Sequence, residues 1–243
     1  MKKRYGLFLG LFLLCLPGFS QEKIVDSTAV RILDRMSTLV GDINSLGFTT
    51  RIWKDVAYSD DFFIKEFESS EIKLKGPNKF YVNTKGERKS DLYFYNGDQV
   101  IYYSLLNNIY TAAAAPDNLI ETLDWLYQSF DIEFTIADFL FPDFTEQLVE
   151  SMDRIEYLGQ VHIDGKPLFH IGASNERMTV QFWIEEGFYF FPSKILITYL
   201  GDPYAHQVEA SFTEWKVNED YPDPSFEFLP PPAAKQITWI EKN

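Results

Sequence analysis

The chain has 243 residues, 46% of them apolar and 17% aromatic, with 22 Lys and Arg against 36 Asp and Glu, a formal net charge of −14 and one cysteine. That length is enough for one large domain with its own core. A polyanion of this kind is repelled by nucleic-acid phosphates and anionic lipid head groups, which excludes nucleic acid as a partner, and a lone cysteine excludes a disulfide framework.

Met1, Lys2, Lys3 and Arg4 precede an apolar run from Tyr5 to Leu16, followed by Pro17-Gly18-Phe19-Ser20. This is the pattern of a secretory signal peptide: a basic end, an apolar stretch too short to stay in a bilayer as a spanning helix, and small residues before a cleavage point. Cleavage is expected after Ser20, leaving residues 21–243 as a single domain, soluble in the periplasm and without stable membrane insertion. Cys15 ends the apolar run, as a lipid-attachment cysteine does, but the bulky Leu14 stands before it where that chemistry needs a small side chain. With Cys15 removed, thiolate nucleophiles, disulfides and cysteine-ligated metals are all excluded from the mature chain.

Residues 26–46 read as an amphipathic helix capped by Asp26 or Ser27, with Ala29, Ile32, Leu33, Met36, Leu39, Val40, Ile43 and Leu46 at three-and-four spacing. From Phe48 to Ala113 the apolar period changes to two, in six short strands broken at Gly76-Pro77-Asn78, Lys85-Gly86, Asn96-Gly97-Asp98 and Asn107-Asn108. Asn96-Gly97 is the strongest turn signal, because both residues tolerate the positive φ of a tight hairpin. Pro116 and the pair Asn118 and Glu121 open a helix with Leu119, Leu123, Leu126 and Phe130 as its buried stripe. After Ile136, Phe139, Leu140 and Phe141, Pro142 breaks the chain, and Asp143 with Glu146 caps a further helix carrying Phe144, Leu148 and Met152.

Strands resume over 155–162, 168–173, 178–185, 194–200 and 205–217, separated by Asp164-Gly165, Asn175, Gly187 and Gly201-Asp202-Pro203. The proline-rich tail from Asn218 is expected to lie extended against the sheet. This order predicts a mainly β (α+β) fold: a single curved antiparallel sheet with helices on one face. The connections are too short for a parallel sheet.

The pattern of Tyr95-Asn96-Gly97, Ile132 with Ala137-Asp138-Phe139-Leu140, Tyr157-Leu158-Gly159 before Asp164-Gly165, and His170 is similar to that of a known family. So are Phe182-Trp183-Ile184-Glu185, Pro192-Ser193-Lys194 with Ile197-Thr198-Tyr199, Trp215, and Phe226-Glu227-Phe228 before the triple proline. Together they resemble the bacterial domain-of-unknown-function 2092 family of predicted periplasmic proteins, which resembles the lipoprotein carriers LolA and LolB in fold. The resemblance implies a half-open β-barrel whose concave apolar face is covered by helices, over nearly all of the mature chain. Leu168 departs from it, since the family often has a cysteine two residues before the histidine matching His170.

No catalytic signature is present. His162, His170 and His206 lack a second histidine at metal spacing, and a zinc site needs three or four converging ligands, so no metal is expected. His170 reads as a hydrogen-bonded structural residue and His206 as an exposed one. Neighbouring carboxylates such as Glu185-Glu186 and Asp60-Asp61 point to opposite faces of a strand and cannot flank one bond. There is no nucleophile elbow and no phosphate-cradling glycine loop. The chain is therefore read as neither an enzyme nor a cofactor protein.

Large residues at both parities, as in Tyr93-Phe94-Tyr95 and Ile101-Tyr102-Tyr103, are more than a sheet with one wet face requires. They fit a ligand cavity as well as they fit a sheet covered on both sides. The expected function is that of a periplasmic binder or carrier of an apolar ligand: an acyl chain, a lipid, a lipoprotein or a lipidated peptide. Trp53, Tyr93, Tyr95, Tyr103, Trp183, Tyr199 and Trp215 are the candidate cavity lining, by size and strand position, and Leu119, Leu123 and Phe144 belong to the helices that would act as lid. The rival reading is a non-catalytic interaction protein with a solid core that docks to an envelope protein partner.

Overall fold

The computed structural model describes residues 23–59, 62–132, 134, 139, 141–201 and 204–239, with the backbone alone at 39–42. The expected signal peptide, the Asp60-Asp61 pair, Ile136, Ala137, Asp138, Leu140, Asp202-Pro203 and the side chains of Leu39 and Val40 lie outside the described residues.

After a two-residue strand β1 (Ile24–Val25), the Asp26 carboxylate accepts the backbone N–H of Thr28 at 2.6 Å and opens helix α1 (Ser27–Asp42). Ala29, Ile32, Leu33 and Met36 are buried along one face, as the three-and-four spacing requires. The helix stops earlier than the periodicity suggests. Leu46, counted on the helical stripe, belongs to strand β2 (Ser45–Ser59), where it is buried by sheet pairing with Leu74 and Val217.

From there the chain runs as an antiparallel meander through β2, β3 (Phe62–Lys75), β4 (Lys79–Gly86), β5 (Ser90–Tyr95), β6 (Gln99–Ser104) and β7 (Ile109–Ala114). Six strands are expected here and six form, but the first two are long, at 15 and 14 residues. Gly97 takes φ +102° in the β5–β6 hairpin, the left-handed conformation that the Asn-Gly pair signals.

Helices α2 (Leu119–Phe130) and α3 (Phe144–Ser151) follow. The Asn118 side chain caps α2 by accepting the N–H groups of Ile120 and Glu121. Asp143 does not cap α3 with its side chain; its carboxylate instead accepts the Gln147 amide one turn on, at 2.7 Å.

A second meander comprises β8 (Arg154–Ile163), β9 (Lys166–Ser174), β10 (Met178–Glu185), β11 (Pro192–Tyr199) and β12 (Gln207–Val217). Pairing of β12 with β2 joins the two meanders into one open curved sheet. Parallel pairing, excluded on connection length, occurs only at the two edges among the described residues. There β1 lies along β8, and β13 (Lys235–Gln236) lies along β7 after a long excursion of the chain.

Register assigns the faces. Cross-strand partners Phe48, Ile72, Val82 and Tyr93, and likewise Leu46, Leu74, Phe80 and Tyr95, share the helix-bearing face. One core cluster packs α1 and α3 against Phe48, Ile155, Ile171, Phe182 and Phe212, and a second packs Leu126 of α2 against Phe80, Val82, Tyr95 and Val100. Part of the opposite face is covered by the tail. Phe228 of the tail lies against Phe94, Tyr103 and Tyr110, and Tyr221 closes over Gly47, where a Cβ would stand 2.1 Å from its hydroxyl. The tail thus accounts for the large residues at the second parity of β5–β7.

Candidate functional site

Helix α2 crosses the helix-bearing face of β2–β5 at a height that leaves space beneath it. Its start is fixed from two sides: the N–H of Leu119 donates to the Pro77 carbonyl at 3.3 Å, and the Pro116 carbonyl accepts the hydroxyls of Tyr95 and Thr122. Its end is turned by Asp131, which has φ +58° and donates its N–H to the Tyr127 carbonyl. Only Thr122 and Leu126 of the helix are buried. Leu119 and Leu123 face the sheet yet stay half-buried, because what lies below them is a cavity of about 130 Å³.

The floor of this cavity is layered along the strands. Leu74 and Phe80 form one end, then come Phe48, Ile72, Val82 and Tyr93, then Thr50, Ser70, Thr84 and Asp91, and finally Ile52, Glu68 and Lys89. Ile132, Phe134 and Phe141 complete the wall after α2, with the Phe134 ring edge-on to Phe80 at 6.0 Å and to Tyr93 at 5.4 Å. At the polar end Lys89 is in contact with the Glu68 carboxylate, and Tyr102 donates its hydroxyl to Asp91 at 3.1 Å. Burial raises the Asp91 carboxyl above the usual carboxylate range, and burial likewise raises the Tyr93 hydroxyl, keeping it a neutral phenol.

Of the residues expected to line a cavity, Tyr93, Leu119 and Leu123 are brought together here. Tyr95 is on the same face but fully buried beneath the start of α2. Trp215 stacks between Phe48 and Phe191, at 4.6 and 4.3 Å, so that Phe48 separates it from the space. Phe144 packs on Phe182 in the other half of the core, 5.8 Å away, and Tyr199 is exposed at the end of β11.

Trp53, Tyr103 and Trp183 are on the opposite face. Trp53 is exposed beside Phe67, Tyr103 lies under Phe228, and Trp183 stacks on His170. Each follows or precedes an inward residue (Ile52, Tyr102, Phe182), and alternate residues of a strand point apart. Phe80, Thr50, Ser70 and Thr84 line the cavity without having been singled out. Their strand parity relative to Phe48 and Ile72 was the available signal.

Among the described residues the acid and base candidates do not converge. Glu185 pairs with Lys166 at 2.8 Å while Glu186 meets Gln160, and His162 is exposed on β8. His206, expected to be exposed, is half-buried against the Phe63 ring at 4.2 Å. Among the described residues no group of three or more His, Cys, Asp or Glu is placed to hold a metal, and no helix is long and apolar enough to cross a membrane.

No curated protein sequence matches the chain. Its fold is similar to that of an uncharacterised conserved protein from Thermus thermophilus, at 12% identity and a TM-score of 0.51, over 87% of this chain and 99% of that one. It is more distantly similar to LprF from Mycobacterium bovis, at 12% identity and a TM-score of 0.46 over 86% of this chain and 98% of the other. A LolA superfamily protein from Nitrosomonas europaea is similar at 12% identity and a TM-score of 0.39, over 82% and 97% of the respective chains. The model of the family described as predicted periplasmic protein, DUF2092, matches residues 29–240, and the chain belongs to that family of the periplasm.

Proposed function

We propose that the protein binds an apolar ligand, an acyl chain of a lipid or of a lipidated peptide, between its sheet and α2, and carries it through the periplasm without covalent chemistry. The observation that supports this reading is the unfilled space under Leu119 and Leu123, two leucines turned toward the sheet. Among the described residues the α1 and α3 half of the molecule packs into one continuous apolar core, whereas under α2 a space remains between helix and sheet.

At about 130 Å³ the space is close to an engineered apolar cavity of roughly 150 Å³ that takes up benzene, and smaller than the ~300–1,000 Å³ of sites that engulf whole small molecules. It therefore seats the end of a chain, and a longer one enters as α2 lifts. Each methylene moved out of water contributes about 0.8 kcal/mol. Native mass spectrometry of gently purified protein tests the reading. Co-purified lipid that is lost in Leu123→Trp supports it, and protein that is lipid-free and takes up no added amphiphile refutes it.

A further inference from the structure

The cavity floor is not uniformly apolar. Three hydroxyl side chains lie side by side across it: Thr50 is paired in register with Ser70, and Ser70 with Thr84. All three are buried, Thr50 with 1% exposure. Ser70 Oγ and Thr84 Oγ1 are 2.8 Å apart, a bond that uses one hydroxyl hydrogen and leaves the other uncommitted. Thr50 Oγ1 has no hydrogen-bond partner in the structure. A buried hydroxyl without a partner is destabilising, and valine would fill the same volume at that position without this cost. The row is explained by a ligand group that accepts hydrogen bonds at that depth.

The flanks of the row say what kind of group. On one side the floor is apolar from Ser70 to Leu74, roughly 13 Å at about 3.3 Å per residue. On the other side Lys89 meets Glu68, and Asp91 stands opposite Thr84 in the next strand. Glu68 is already shared between Lys54 and Lys89, and Asp91 accepts the Tyr102 hydroxyl, so this end offers no spare cation to a ligand carboxylate and suits a neutral acceptor. Given that the cavity binds an apolar ligand at all, we infer that the ligand is an acylated amphiphile, its chain on Phe48, Ile72 and Phe80 and its ester or amide carbonyl accepting hydrogen bonds from the Thr50–Ser70–Thr84 row.

The test compares 1-decanoylglycerol with 1-O-decylglycerol, which share chain and head group and differ in the carbonyl, by titration calorimetry on the wild type, Thr50→Val and Thr50→Val/Ser70→Ala. The inference predicts that the wild type prefers the ester by about tenfold and that the double variant narrows the preference to about twofold. Binding of the ether by each variant verifies that its site is folded. Equal affinities in the wild type, or a preference that survives both substitutions, overturn the carbonyl row while leaving the binding reading intact. Failure of both amphiphiles to bind the wild type overturns the binding reading and the inference with it.

Discussion

His170 and Trp183 stand opposite each other on β9 and β10 with their rings stacked, 4.7 Å apart at 12°, on the face turned away from the helices. Gln181 Oε1 is 3.0 Å from His170 Nε2, so the imidazole is held by a ring on one side and an amide on the other. An aromatic pair of this kind is worth about 0.5–1.5 kcal/mol beyond the area it buries. His170→Ala and Trp183→Ala are each expected to lower the denaturation midpoint by that order while leaving any ligand-induced stabilisation unchanged. Urea titrations with and without ligand measure both quantities.

Burial holds Asp91 above its ordinary value of 3.8, against the opposing hydrogen bond from Tyr102. Between the ordinary and the raised value the folded state keeps a proton that the unfolded state has lost, so this residue's contribution to stability falls as pH rises through that window. Asp91→Asn, which still accepts the Tyr102 hydroxyl, is therefore expected to melt higher than the wild type at pH 7. The gain shrinks toward zero as pH falls below 3.8, where both states of the wild type are protonated at this site. Melting curves of the two proteins across that range follow the difference.

Leu126 and Leu123 are one turn apart on α2 and differ in what lies beneath them. Leu126 is fully buried in the cluster with Phe80 and Tyr95, whereas Leu123 overhangs the cavity. Leu126→Ala is expected to cost about 2–5 kcal/mol, the usual range for a buried leucine, and Leu123→Ala clearly less. Equal losses in chemical denaturation would mean that the space under Leu123 is filled.

Trp239 carries the tail around the β7 edge onto α2, where its ring meets Phe130 at 4.5 Å and Trp125 at 6.3 Å. Trp239→Ala removes this strap. Amide exchange is expected to quicken through Leu119–Phe130 and to stay unchanged in β9–β11, because elements with few buried residues open locally. Uniform acceleration throughout the sheet would show instead that the strap holds the whole fold.

The succession of strands along the chain, the hairpin at Asn96-Gly97 and the Asn118 cap were legible because each is a local signal: a period of two, a pair tolerant of positive φ, a side chain able to accept the first helical N–H groups. The helix end near Asp42 was not, since Ile43 and Leu46 continue the helical spacing by coincidence, and sheet pairing with Leu74 decides the matter. The candidate site was half legible for a similar reason. Ring size marked Trp53 and Trp183 as lining, but size carries no information about face, and register with Ile52 and Phe182 turns both outward. The hydroxyl row went unread because Thr50, Ser70 and Thr84 are far apart in sequence and adjoin only through β2–β3–β4 pairing.

Binding of an apolar chain under α2 is tested most directly by thermal unfolding of delipidated protein with and without monomeric 1-decanoylglycerol or lysolipid. A ligand bound only to the folded state at about 100 times its Kd adds roughly 2.7 kcal/mol. For a chain of this size that is a rise in Tm of about 5–10 °C. The account predicts such a rise in the wild type and its loss in Leu123→Trp, which fills the cavity. Identical melting curves with every amphiphile, from preparations shown to carry no lipid, would contradict it.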